Sequence, residues 1–383
     1  MTTIGRIVLF VLGSSLIVYT LLSAIRTFVL PRSARDRLTR GIFVTSRRLF
    51  NLWNYRSKTY EDRDRIMALY APVTLLIMPA VWLVLVALGY TAIFIALGID
   101  SFKTAFTMSG SSLLTLGTAP PDGFISTLLS FSEAAIGLAL IALLISYLPT
   151  IYNAFSRREM AVSLLEVRAG SPPSAVELFE RFHRLKRMDK LNDLWAQWEN
   201  VFADIEESHT SLGALAFFRS PQSDRSWITA AGAVLDAAAL AVSTIDIPHD
   251  VQADLTIRGG YIALRRISDF LGIPYNLTPS PTDPISISRL EFDLACNRLA
   301  EQGVPLKPDR DQAWRDYSGW RVNYDTTLLS LCAMTMAPYA PWSSDRSVRQ
   351  MHWLQVKRQQ KKAFLRFLRR QPVASPSESE LQS

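Results

Sequence analysis

Residues 66–99 contain no Asp, Glu, Lys, Arg or His, and residues 124–155 contain a single charge, Glu133. Roughly 20 residues cross the hydrocarbon core of a bilayer as a helix, so each stretch is long enough to span one. Inside lipid every backbone N–H and C=O must find its partner within the protein, which leaves helix as the structure open to a single run of this kind. A third uncharged stretch, residues 7–25, reaches a similar length. A cleaved leader with a site at Leu22-Ser23-Ala24 is its competing reading, but the apolar part is longer than a leader core requires. The chain is 49% hydrophobic yet 20% charged, which fits a membrane part joined to a water-exposed part.

Between the second and third runs lie residues 101–123, SFKTAFTMSGSSLLTLGTAPPDG. The segment is too short for a domain. Lys103 to Leu114 can form a half-helix, Thr115-Leu116-Gly117-Thr118-Ala119 follows, and Pro120, Pro121 and Gly123 then stop any continuation. Irregular backbone at membrane depth is stable only where protein covers it or it lines a watery path. A helix that ends there in Thr-x-Gly points to a pore.

The order of apolar helix, half-helix, Thr-x-Gly segment and apolar helix resembles the pore module of the potassium-channel-type pore-loop family. In that family a T-V-G-Y-G segment turns backbone carbonyls and a threonine hydroxyl toward the ion. Thr115 and Gly117 fall on the first threonine and first glycine of the motif, with Leu116 at the valine. Thr118 stands at the aromatic position, Ala119 at the second glycine and Pro120 at the usual acid. The resemblance covers about residues 66–155. It implies two transmembrane helices around a re-entrant pore loop; together with the N-terminal run and the helical pattern beyond residue 156, the expected fold is an all-α membrane protein with three transmembrane helices and a re-entrant pore loop, plus an all-helical cytoplasmic domain. It further implies that Thr115, Leu116, Gly117, Thr118 and Ala119 form the ion-conducting filter for potassium or a related monovalent cation. One such segment supplies one wall, so the family's architecture implies a homotetramer.

Glu133 lies within the last run, where a carboxyl group must face protein or water and is a functional candidate by default. Three roles compete: a brace behind the filter using Ser111, Ser112 or Thr118, a cation-attracting ring, or a residue at the outer interface. Asp122 is a further candidate for support around the segment. Gly137 and Pro149 resemble the gate hinges of the family's inner helix, and close helix packing is the equal alternative for Gly137.

Orientation follows from charge. Residues 26–65 carry 11 Lys or Arg against four acids, whereas residues 100–123 carry one Lys and two Asp. The positive-inside rule places the first loop in the cytoplasm and the pore loop outside, with the N-terminus outside and the C-terminal domain inside. Phe43, Phe50, Leu52, Trp53 and Tyr55 mixed with Arg47, Arg48 and Arg56 read as a basic amphipathic helix on the inner leaflet, or else a solvated connector. The expected organisation is an N-terminal span at 1–30, a basic connector at 31–65, the pore module at 66–155, a helical domain at 156–370 and a disordered tail at 371–383.

Beyond residue 156 the pattern is helical and soluble. Ser174 and Glu177 form a capping-box signature, and Val176, Phe179, Phe182, Leu185, Met188, Leu191, Leu194, Trp195, Trp198 and Phe202 recur at helical spacing. Residues 230–242 are apolar but short and interrupted by Asp236, so they predict a buried helix rather than a fourth span. Trp314, Tyr317, Trp320, Tyr324 and Leu328 read as a core stripe. Residues 347–370 mix eight Lys and Arg, among them Lys357, Arg358, Lys361, Lys362, Arg366, Arg369 and Arg370, with aromatic and aliphatic side chains, which reads as binding to anionic lipid, or as a charged outer face, ahead of nucleic acid. No G-x-G-x-x-G follows a strand, so the helical domain is not the dinucleotide-binding regulator of many bacterial potassium channels.

Catalytic constellations are missing from the sequence. His183, His209, His249 and His352 show no ligand spacing, and no phosphate loop or nucleophile elbow is present. Cys296 and Cys332 match no zinc or redox spacing and read as buried free thiols. The expectation is a non-enzymatic membrane channel subunit with no cofactor beyond its permeant cation. The rival is a non-conducting, membrane-anchored signalling or scaffold protein that works through its helical domain.

Overall fold

A computed structural model describes residues 2–30, 36–55, 57 and 59–346. Among these the regular structure is helical, with one isolated bridge between Ile245 and Leu306 and no strand. Helices Thr3–Phe28, Tyr60–Ala96 and Phe124–Ala169 are long and apolar enough to cross a membrane, matching the three expected runs. The expected basic helix 347–370 and the tail lie outside the described residues. The chain divides into two compact units, Met1–Leu164 with Asn200–Trp227, and Leu165–Glu199 with Ile228–Ser383.

The first unit holds α1 (Thr3–Phe28), α2 (Arg37–Asn54), α3 (Tyr60–Ala68), α4 (Tyr70–Ala96), α5 (Phe102–Leu113) and most of α6 (Phe124–Ala169). Helices α1 and α4 pack through two glycines. A Cβ on Gly13 would come within 2.5 Å of the Gly89 carbonyl oxygen, and one on Gly89 within 3.0 Å of the Gly13 carbonyl oxygen. Between apolar helices in lipid the hydrophobic effect supplies little attraction, so small residues that let backbones approach do that job. At the other end of α1, Phe28 meets Trp82 edge-on, ring centroids 5.1 Å apart, and Tyr147 of α6 at 4.3 Å.

The connection to α2 is fixed by side chains. Asp36 caps α2 by accepting from the Thr39 N–H at 2.7 Å, and the same oxygen accepts from the Ser23 hydroxyl of α1 at 2.6 Å. Thr27 and Thr39 hydroxyls lie 2.8 Å apart. Along α2, Ile42 and Phe50 are buried, and Tyr70 at the start of α4 donates its hydroxyl to the Phe43 carbonyl at 3.0 Å.

Residues 200–227 pack with these helices. Arg158, 1% exposed near the C-terminal part of α6, donates to the Leu215 carbonyl at 2.9 Å, the Phe218 carbonyl at 2.8 Å and the Glu159 carboxylate at 2.8 Å. Its Nη1 also lies 3.4 Å from Nε2 of buried His209, whose ring packs on Trp227 at 4.5 Å. Burial first, then the Arg158 charge, holds the His209 imidazole well below its ordinary value. Phe217 meets Tyr70 edge-on at 5.7 Å, and Arg219 pairs with Asp64 of α3.

The second unit contains α7 (Ala175–Arg184), the first turns of α8 (Leu191–Ser211), most of α9 (Trp227–Ser243), and α10 (Val251–Leu271), α11 (Arg289–Glu301), α12 (Arg310–Arg321) and α13 (Asp325–Thr335). The expected buried helix is α9, 17 residues long with its aliphatic side chains inside. Asp236, 2% exposed, is matched there by donors: Arg321 Nη1 at 2.5 Å, the Tyr324 hydroxyl at 2.8 Å and the Tyr317 hydroxyl at 3.3 Å. Arg321 also donates to Asp325 at 2.8 Å and to the Trp342 carbonyl at 2.7 Å. A carboxylate buried inside an apolar helix persists because its charge is paired and its lone pairs are occupied.

Tyr317, Tyr324 and Leu328 of the aromatic stripe are fully buried. Of the α7–α8 stripe, Leu185 falls one residue past α7 and is 68% exposed. Half of the expected capping box forms: Ser174 accepts from the Glu177 N–H at 3.5 Å, while the Glu177 carboxylate turns to Arg181. Cys296 and Cys332 are free and buried, and burial raises both thiols, Cys296 to about 11.

Candidate functional site

The 101–123 segment begins with the Ser101 side chain capping α5 through the Thr104 N–H at 3.4 Å. Ala105, Met108 and Ser109 share one buried face of the helix, at the spacing that puts i, i+3 and i+4 side by side. Ser109 is where three helices meet. Its Oγ lies 3.0 Å from the Ala87 carbonyl of α4 and 2.5 Å from Glu133 Oε1 of α6.

Both Ser109 and Glu133 are 0% exposed, and Glu133 Oε2 has no hydrogen-bond partner among the described residues. A hydroxyl has one hydrogen to give. If it goes to the Ala87 carbonyl, the short Ser109–Glu133 contact needs its hydrogen from the carboxyl, so both contacts are satisfied when Glu133 is the neutral acid. Of the three roles open to Glu133, a hydrogen-bonded brace has a partner in the structure, but that partner is Ser109 rather than Ser111, Ser112 or Thr118. A second tie runs from the Tyr90 hydroxyl of α4 to Ser132 Oγ of α6 at 2.7 Å.

Helix α5 ends one residue earlier than the expected half-helix, and it ends through hydrogen bonds of its own backbone. The Leu116 N–H donates to the Ser111 carbonyl at 2.8 Å and the Thr115 N–H to the Ser112 carbonyl at 3.1 Å. This pair is the Schellman arrangement, which requires left-handed backbone at the residue between. Thr115 supplies it with φ +55°, a conformation for which a residue with Cβ is penalised by about 1 kcal/mol relative to glycine. Gly117 is also left-handed, φ +69°.

The Thr115 hydroxyl donates to the Leu114 carbonyl at 2.7 Å. Ser111 holds the far end of the segment: its Oγ accepts from the Ala119 N–H at 3.2 Å and from the Thr118 hydroxyl at 3.3 Å. Thr115, Leu116, Gly117 and Thr118 are exposed, Ala119 is half-buried, and Asp122 is exposed in the loop before α6. Ser112 donates back to the Met108 carbonyl at 3.0 Å.

Gly137 faces the end of α5. A Cβ there would collide with the Leu113 carbonyl oxygen, so α6 passes where only glycine fits. Helix α6 is continuous through Gly137 and Pro149, and Pro149 is exposed. Two residues of the first unit gain their importance only in three dimensions. Ser109 shares a helix face with Ala105 and Met108, a pattern visible in the sequence; the lodging of Arg158 among carbonyls of residues 215–218 has no local signature.

Among the described residues no group of His, Cys, Asp and Glu is arranged to hold a metal ion. The chain matches no protein-family model, no curated protein and no solved structure.

Proposed function

We propose that the protein is a membrane channel subunit in which residues 101–123 dip into the bilayer and return to the side they entered, with Thr115–Ala119 bordering the path of potassium or a related monovalent cation. The observation that carries the reading is the fastening of α5. A 12-residue helix, too short to span, is tied at one buried serine to two helices long enough to do so, and it ends in an exposed Thr-x-Gly turn with left-handed backbone at Thr115 and Gly117.

Carbonyls of Thr115, Leu116, Gly117 and Thr118 are the groups that would replace ion hydration. One copy supplies one wall, so the reading requires a symmetric assembly, proposed as a homotetramer. In support, α6 leaves Ala135, Ala139, Ala142 and Ser146 exposed at three- and four-residue spacing, and small residues of this kind admit close approach of another helix. The orientation proposed from charge keeps the N-terminus and the 101–123 segment outside and the C-terminal helices in the cytoplasm.

The rival, a non-conducting anchored scaffold, is favoured by the turning of the Thr115 hydroxyl to the adjacent Leu114 carbonyl. Potassium flux from purified protein in liposomes separates the two. Flux that Gly117→Asp abolishes supports the pore, flux that Gly117→Asp leaves unchanged places the path elsewhere, and no flux in either supports the scaffold.

A further inference from the structure

The chain leaves α1 at Phe28 and enters α4 at Tyr70, and both ends of the intervening helix α2 are fastened to those spans. Ser23 and Thr27 of α1 hold its N-terminal turn through Asp36 and Thr39. Farther along, Tyr70 donates to the Phe43 carbonyl and its ring meets Phe50 at 5.8 Å. A helix pinned in this way to the ends of two spans is held at the surface of the membrane they cross.

Its inner face is accounted for by Ile42, Ser46, Phe50 and Asn54, buried at four-residue steps. Its outer face is not. Leu49 is 61% exposed, Leu52 73% and Trp53 61%, and at spacings of three and four they lie on one flank. Arg48 is exposed next to Leu49, and Arg37 and Arg40 are exposed nearer the N-terminal end of the helix. From residue 37 to residue 60 the sequence has six Lys or Arg and no Asp or Glu.

We infer that this outer face of α2 is a docking surface for anionic phospholipid, with Leu49, Leu52 and Trp53 entering the headgroup–acyl boundary and Arg37, Arg40 and Arg48 holding phosphate-bearing headgroups. Large apolar side chains on one flank and exposed arginines along the same helix, with no acid between residues 37 and 60 to repel the lipid, are what an interfacial helix requires. A water-exposed surface has no use for a tryptophan flanked by two leucines at this exposure. The inference rests on the helices crossing a membrane and is independent of whether the protein conducts ions.

Spin labels at Leu49→Cys, Leu52→Cys and Asn51→Cys in the full chain, reconstituted into phosphatidylcholine vesicles with and without phosphatidylglycerol, test the placement. The labels at 49 and 52 are expected to be reached by oxygen and protected from a water-soluble nickel chelate, and the label at 51 to be reached by the chelate. Spin-labelled phosphatidylglycerol is expected to be motionally restricted by the protein in preference to phosphatidylcholine. That preference should fall by up to about fivefold for each of Arg37, Arg40 and Arg48 changed to Gln. Chelate access at 49 and 52 would place the face in water, and protection from both reagents would mean that protein, such as a second copy, covers it; either result overturns the inference. So does a lipid preference that the Gln variants leave unchanged.

Discussion

Replacing Gly13 or Gly89 by Ala tests the contact that holds α1 to α4. A methyl on Gly13 lies 2.5 Å from the Gly89 carbonyl oxygen and 3.0 Å from Ile93 Cγ1, while one on Gly89 lies 2.6 Å from Ile17 Cγ1. Ordinary contact starts at 3.4 Å, so Gly13→Ala asks the helices to part by about 0.9 Å, the difference between 3.4 and 2.5 Å, and Gly89→Ala asks for about 0.8 Å, the difference between 3.4 and 2.6 Å. A gap of about 0.5–1 Å forfeits a quarter to a half of the attraction of each atom pair across it, and overpacked sites of this kind typically lose about 1–3 kcal/mol.

Each single variant is therefore expected to lose that amount. Once the helices have parted for one methyl the second meets little resistance, so the double variant should fall short of the sum by about 0.5 kcal/mol or more. Gly41→Ala provides the opposite sign. Gly41 is exposed within α2 with nothing among the described residues within 4 Å of its would-be Cβ, and an alanine there should stabilise by about 0.5–1 kcal/mol. The measurement is unfolding of purified protein in a single detergent, following Tm and denaturant midpoint for the four variants beside the parent. Neutral Gly13→Ala and Gly89→Ala, or losses that add fully in the double variant, would refute the close glycine contact.

At the three-helix junction, Glu133→Gln is expected to stay within about 0.5 kcal/mol of the parent, because a carboxamide N–H can replace the carboxyl hydrogen toward Ser109. Ser109→Ala should cost about 1–3 kcal/mol by leaving the buried Glu133 carboxyl hydrogen without its acceptor. Equal losses in the two variants, read from the same unfolding curves, would count against the hydrogen inventory of the site. Lowering the pH tests His209. Its imidazole is held below the ordinary value of 6.5 by burial and by Arg158, so below that pH the unfolded chain takes up a proton the folded chain refuses. Stability is then lost as the pH falls, by at most about 1.4 kcal/mol per pH unit for one proton. Comparing Tm from neutral pH to about pH 5 with that of His209→Gln isolates this contribution: the parent should lose more, and parallel curves would refute it.

The parts of the fold visible in the sequence are those whose cause is local. Three uncharged runs become helices because lipid or a core leaves no other outlet for their backbone groups, and α9 is buried around Asp236 because a short apolar helix with one acid needs a partner such as Arg321. Local signals mislead where a side chain has two possible partners. Glu177 is set for a capping box, but Arg181 one turn later offers a charge as well as a hydrogen bond, and the ion pair wins.

The candidate site divides in the same way. Thr115 and Gly117 stand out by motif, yet the property that distinguishes Thr115 structurally is its left-handed backbone at the close of α5, for which threonine is a poor choice. A sequence that needed only to stop that helix would be better served by glycine there, so the demands of the turn alone do not account for a threonine at this position. Ser109, Gly137 and Arg158 are legible only in part or not at all, because their importance lies in what arrives from elsewhere in the chain: the Ala87 carbonyl, the Leu113 carbonyl and the Leu215 and Phe218 carbonyls. Each of these carbonyls is a backbone oxygen, which every residue possesses and no sequence pattern marks. The serine, the glycine and the arginine are therefore where substitutions report most directly on whether these helices are packed as described.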